Sequence, residues 1–240
     1  MAVKGSSTAA RVLTVFEAVA ANQPVGVATL SRMLDVDKSA VQRALVTLGE
    51  QGWIRAREGQ ATQWETTVRI LNIAQSVRAK SDLRRNIQSA LERLATQTGE
   101  TAIFNEPDGA HLVVSQVAES RQQLRMVPRI GAVVPARESA TGRILLPYLR
   151  REQQIELLGG PPDPEFLALI EACRARGYAA SAEVDDPSMT IAAPVFEVDG
   201  RPIGVVAISG PAERMPPEGH PRLAEFVCQA ANRVSRGAGE

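Results

Sequence analysis

The sequence predicts an α+β protein in two parts: an N-terminal winged helix-turn-helix, then a domain built on a largely antiparallel sheet. Three observations lead there. Apolar residues recur at helical spacing through the first fifty positions. From about residue 100 the pattern changes to short β-branched runs between turn residues. The third observation is charge. The 27 basic and 27 acidic residues sum to zero, but residues 1–80 hold ten basic side chains against six acidic ones, and the remainder 17 against 21. Such asymmetry between segments is a recognised mark of a nucleic-acid-binding part.

The bulk numbers bound the rest. At 240 residues, 44% apolar and 22% charged, the chain suits one large folded domain or two modest ones. That composition excludes an acidic disordered chain, a polybasic tail protein and a collagen-like repeat. Cys173 and Cys228 make no disulfide framework and no CxxC motif, which favours a reducing compartment, the cytoplasm. No window approaches the roughly 18 uninterrupted apolar residues of a membrane span, and no membrane partner is expected.

Ser6, Ser7 and Thr8 can cap a first helix whose apolar positions are Val12, Leu13, Phe16, Val19 and Ala20; Asn22, Gln23, Pro24 and Gly26 end it. A second, short helix is predicted at about 28–34 with Ala28, Leu30 and Leu34 inward, stopping at Asp35-Val36-Asp37. A third runs from Lys38 to about Glu50, burying Val41, Leu45 and Leu48 and presenting Lys38, Ser39, Gln42, Arg43 and Thr47. Two short helices around a tight turn, after a longer one, match a helix-turn-helix, and the second of the pair is the candidate to enter a major groove. There Gln42 can pair with adenine, Arg43 with guanine or a phosphate, and Lys38 and Ser39 with phosphate at the helix start. The stretch from Gly52 to Trp64 predicts two short strands around Glu58-Gly59-Gln60, a wing carrying Arg55, Arg57 and Gln60. Trp53 and Trp64 are read as hairpin packing residues.

Ile70, Ile73, Ala74 and Val77 follow the helical period, and a further helix is predicted from about Asp82 to Gln97. No Gly/Ser/Pro-rich linker intervenes, so these are either a helix joining two domains or a helical hairpin within one. Beyond them, strands are predicted at 101–105, 110–117, 123–127, 178–183, 189–197 and 202–209, with helices at about 139–150, 152–158, 164–176 and 219–235.

Catalysis finds no support in this pattern. His111 sits in a predicted strand and His220 in a Pro/Gly-rich turn, so neither joins a metal cluster. Both cysteines fall on helices, and there is no GxSxG, P-loop or dinucleotide fingerprint. No metal and no cofactor is expected. A binding cavity is the better candidate. Ser139 can cap a helix whose small residues Ala140, Thr141 and Gly142 would let a carboxylate approach, Arg137 could add charge, and Met126, Met189, Ile191 and Pro194 could supply an apolar wall. An ordinary helix cap over an ordinary core fits the same residues.

Taken in order, the landmarks are specific. They run through Leu30-Ser31-Arg32-Met33-Leu34, Lys38 to Leu45, Gly52-Trp53, Leu94 to Thr101, Arg125, Gly131, Pro135, Ser139-Ala140-Thr141-Gly142-Arg143, Arg176-Gly177-Tyr178, Ala192-Ala193-Pro194-Val195 and Ile208-Ser209-Gly210-Pro211. With them the chain resembles the IclR-type family of bacterial transcriptional regulators over nearly its whole length. The resemblance implies a winged helix-turn-helix (residues 1–66), a linker helix (67–80) and a GAF-like effector-binding and oligomerisation domain (81–240). It further implies an operator-bound homodimer or dimer of dimers, acting as repressor or activator and responding to a small effector, commonly an organic or aromatic acid. It places the effector beside Arg137–Gly142, between the strand matched by Leu124–Met126, the acidic loop with Glu183 and Asp185, and the strands holding Met189–Pro194 and Ser209. This chain departs from the family at Arg137-Glu138-Ser139, where the family often has a histidine: either an anion partner is added or an ion pair blocks the entrance. Arg143 stands where a lysine is common, and the 159–164 connection is short. The rival expectation is a small-molecule-binding or enzymatic α+β domain carrying an N-terminal helical dimerisation module.

Overall fold

A computed structural model describes residues 6–57, 62–78, 82–182 and 187–237. The chain divides into two compact units, 1–80 and 81–240.

In the first unit, α1 (Ser7–Asn22) starts at Ser6, whose hydroxyl accepts the Ala9 N–H at 3.3 Å. Its inward face is Val12, Val15, Phe16 and Val19; Leu13 and Ala20, expected inside, are exposed because they lie a quarter-turn off that stripe. In α2 (Val27–Leu34) the inward residues are Leu30 and Leu34, with Val27 in place of Ala28. Asp35 ends it in the left-handed region at φ 50°, tolerable for a short polar side chain, so α3 (Lys38–Glu50) leaves in a new direction after two more residues. Ala40, Val41, Ala44, Leu45 and Leu48 bury α3 against α1 and α2. β1 (Ile54–Arg57) and β2 (Gln63–Thr66) form an antiparallel hairpin, with Ile54 opposite Thr66 and Arg57 opposite Gln63. Trp64 packs beside Gly49, where a Cβ would stand 3.2 Å from its ring, and Trp53 meets Phe16 edge-on at 5.4 Å. Both tryptophans are packing residues. α4 (Arg69–Arg78) is anchored to this unit through the Thr67 hydroxyl on Gly52 O (2.7 Å) and the Arg69 guanidinium over Trp53.

The second unit opens with α5 (Asp82–Thr98) and is organised by six antiparallel strands: β3 (Thr101–Asp108), β4 (His111–Ala118), β5 (Val133–Val134), β6 (Ala179–Ala182), β7 (Ser188–Phe196) and β8 (Pro202–Pro211). Their order is β5-β4-β3-β8-β7-β6. One face carries α5 and the C-terminal α9 (His220–Gly237) over Phe104, Ile191, Val195, Val206 and Ile208. The other carries α6 (Ala140–Leu145) and α8 (Pro164–Arg176) over Leu112, Ala179, Ala192, Val205 and Ala207; α7 (Arg151–Leu158) joins those two helices. Two helix layers thus sandwich an α+β sheet.

One expected strand is absent. Residues 123–127 are irregular, and the edge of β4 pairs instead with Val133–Val134. Pro128 removes a donor and restricts Val127, which disqualifies the segment as a ladder strand. It is held by an Arg125–Glu119 ion pair at 3.3 Å and by Arg214, which donates to Leu124 O at 3.1 Å.

Candidate functional site

The exposed face of α3 assembles Lys38, Ser39, Gln42, Arg43 and Thr47, the five residues expected there, while the opposite face is buried. Its start is fixed by Asp37. That carboxylate accepts the Ala40 N–H at 2.9 Å and the Ser39 hydroxyl at 2.6 Å; Arg43 donates to Ser39 Oγ at 3.3 Å, and Thr47 Oγ1 to Arg43 O at 3.0 Å. Ser39 and Arg43 are therefore held in one network. On the hairpin, Arg55 is bound to Glu65 at 2.7 Å and Arg57 is exposed at the strand end; Gln60 lies outside the described residues.

The Ser39 hydroxyl and, secondarily, the Ala40 N–H hold the Asp37 carboxyl below its ordinary value. A depressed carboxyl contributes stability that is complete above the unfolded value of about 4 and is lost as pH falls through the lowered folded value. Asp163 and Asp199 are lowered too, so the whole chain should lose stability in acid. In Asp37→Ala the melting temperature should drop less between pH 5 and pH 3 than in the parent; an identical drop in circular-dichroism melts would remove Asp37 from this account.

At the start of α6, Ser139 is the cap, its hydroxyl accepting the Gly142 N–H at 3.1 Å. The room beside Gly142 is taken by the chain itself: a Cβ there would stand 2.0 Å from Ala136 O. That glycine admits Ala136, not a ligand, and Ala140 is enclosed in the core. With only six residues α6 also carries a weak dipole. Arg137 is engaged at the start of α8. It binds Asp163, the cap of α8, at 2.9 Å and lies over the Phe166 ring at 4.4 Å, so it pairs with neither Glu138 nor the interior. The Phe166 N–H, then Arg137, lower the Asp163 carboxyl.

Strand alternation corrects the apolar wall. Met189 and Ile191 face α5 and α9, whereas Thr190, Ala192 and Pro194 face the α6 side. Ser209 shares that side, accepting the Thr190 hydroxyl at 3.1 Å. Met126 is half-buried in the irregular segment, and Glu183 and Asp185 lie outside the described residues.

On the α6 face the sequence reading named Ser209 but missed its neighbours. Ser181 is opposite Thr190, Thr190 opposite Ser209, and Ser209 opposite Thr101, so four hydroxyls form one transverse row across β6, β7, β8 and β3. All four are buried, as is Ser188 two residues from Thr190 on the same face. Thr101 Oγ1 accepts the Ser120 N–H at 3.1 Å, but Ser181 Oγ and Ser188 Oγ have no partner among the described residues. The neighbouring row is Ala179, Ala192 and Ala207, on which α6 sits, so the hydroxyls lie about 7 Å beyond it at ~3.3 Å per residue. Burying a hydroxyl without a partner is costly. The available signal was Ser or Thr inside apolar strands at 101, 181, 188, 190 and 209. Among the described residues no three His, Cys, Asp or Glu side chains are grouped to hold a metal, and no helix is long and apolar enough to cross a membrane.

Residues 8–58 match the model of the IclR helix-turn-helix domain, and residues 75–236 that of the bacterial transcriptional regulator IclR C-terminal domain. The chain is 27% identical to the HTH-type transcriptional regulator KdgR of Escherichia coli, covering 97% of this chain and 93% of that protein. It is 28% identical to the HTH-type transcriptional regulator BhcR of Paracoccus denitrificans, covering 95% and 85%. Among solved structures, the IclR transcriptional regulator from Alicyclobacillus acidocaldarius superposes with a TM-score of 0.82 at 18% identity, covering 98% of this chain and all of that one. The Thermotoga maritima IclR does so with a TM-score of 0.73 at 22% identity, covering 97% and 99%.

Proposed function

Because the chain belongs to the IclR family of bacterial transcriptional regulators, we propose that it binds an operator through α3 and the β1–β2 wing, under control of a small effector held in its C-terminal, GAF-like domain. The working unit is a homodimer or dimer of dimers, since two-fold symmetry sets two recognition helices on a palindromic site; the exposed Leu13, Val68 and Leu71 of the first unit support contact with a second copy.

The hydroxyl row carries the effector reading. It is hydrogen-bonding, two buried hydroxyls on its face lack a partner among the described residues, and Arg137 is engaged elsewhere. That combination suits a small aliphatic acid bearing hydroxyl or oxo groups better than an aromatic acid, which needs a wider apolar wall. A thermal-shift screen should show stabilisation by members of a set such as glycolate, glycerate, pyruvate and gluconate, and none by benzoate. Ser209→Val should then weaken the hit about tenfold or more, since an unpaired or lost buried hydrogen bond costs ~1–3 kcal/mol. Equal affinity in that variant would displace the site from the row. By linkage, an effector that lowers operator affinity must itself bind the DNA-bound protein less tightly by the same factor.

A further inference from the structure

We infer a second ligand site, for phosphate groups, in the groove between the outer faces of α5 and α9. Ser89 and Arg93 stand one turn apart on α5, and Arg233 and Arg236 three residues apart on α9, so each pair shares a helix face. With Asn86 they line a groove of about 370 Å³ floored by the buried Ala90 and Val234. Among the described residues no acidic one lines it, and none of the three guanidiniums is in an ion pair with a described residue. This convergence occurs in a domain whose own balance is 17 basic against 21 acidic residues. Three like charges brought together from two helices repel unless an anion joins them.

The donor set names the chemistry. A carboxylate offers one charge and two oxygens to three guanidiniums with five donors each. A phosphate monoester offers about −1.5 to −2 and three acceptor oxygens, and a diphosphate more. Arginine is the side chain suited to that match. The groove lies at the lower end of the volumes that enclose small-molecule ligands, so it exceeds a bare ion and accommodates a phosphorylated metabolite. It also admits a nucleic-acid backbone, and the two sources separate by experiment.

The full chain is titrated with pyrophosphate by calorimetry at constant ionic strength, and with a random 30-base-pair duplex by anisotropy, before and after Arg93→Gln/Arg233→Gln. Saturable pyrophosphate binding that weakens at least about tenfold in the double variant, the least that two lost charge-assisted contacts would cost, assigns a free phosphorylated ligand. If instead only duplex affinity and its salt slope fall, the groove takes a nucleic-acid backbone. Pyrophosphate heats matched by sodium chloride, or both titrations unchanged by the substitutions, would overturn the site. The altered residues are exposed, so melting should stay within a few degrees; Arg236→Gln supplies an independent variant that must weaken the same probe. Because the groove is remote from the hydroxyl row on the opposite face of the sheet, Ser209→Val must leave pyrophosphate binding unchanged.

Discussion

Replacing Arg214 by methionine should cost about 3 kcal/mol of stability, among the larger losses expected for a single side chain outside the apolar core. Glu100, at the junction of α5 and β3, has a side chain only 5% exposed. Arg214 meets it with two parallel bonds, Nε to Oε1 and Nη2 to Oε2, both 2.6 Å. The protein makes room for that carboxylate: a Cβ on Gly210 would fall 2.1 Å from Oε2. Without the guanidinium, a buried charge loses its counter-charge. The loss also reaches further. Arg214 Nη2 donates to Leu124 O at 3.1 Å, and Ala212, two residues before it, donates to Pro187 O at 2.9 Å. One ion pair therefore holds both the segment bearing Met126 and the entry to β7 beside the hydroxyl row. The check is a double-mutant cycle in denaturant. Arg214→Met/Glu100→Gln should recover part of the loss, because no charge is then buried; equal or additive destabilisation would show that the cost comes from packing alone.

The exposed face of α3 was legible because the helix is one-sided: apolar at 41, 45 and 48, polar at 38, 39, 42, 43 and 47. On α1 the inward stripe blurred, since five apolar residues larger than alanine compete for four positions and only packing against α2 and α3 selects Val15 over Leu13. In the second unit five of the six expected strands were readable but the faces were not. β7 and β8 are buried on both sides, so they lack the alternation that would have assigned Met189 and Ile191 to the α5 side. The hydroxyl row needs more still, because Thr101, Ser181, Thr190 and Ser209 become neighbours only through the strand order and register of four strands. Ser139–Gly142 was correctly read as a helix start, yet its small residues serve Ala136 and the core, a contact that spacing does not encode. The Arg137–Asp163 pair likewise joins the starts of two helices 26 residues apart.

Operator binding should be most sensitive to Arg43 and Gln42. Both are exposed on α3 and neither contributes to the buried cluster, so Arg43→Ala and Gln42→Ala should leave folding nearly unchanged. A good bidentate contact to a base edge is worth about 1–3 kcal/mol of discrimination; either substitution should then weaken the operator, recovered by selection from random duplexes, about 10- to 100-fold. The two should differ in kind. Gln42 is neutral, so its loss should relax specificity at one base pair and leave the salt dependence intact. Arg43 is held by Ser39 Oγ in the Asp37 network. If it contacts a phosphate, its loss should lower affinity evenly across sequences and reduce the salt slope by about one. If it contacts guanine, preference at that position should collapse instead. Effector affinity, measured without DNA, should stay at the parental value in both variants. Unchanged operator affinity in both would remove α3 as the recognition helix and leave the wing, with Arg57, as the element to test.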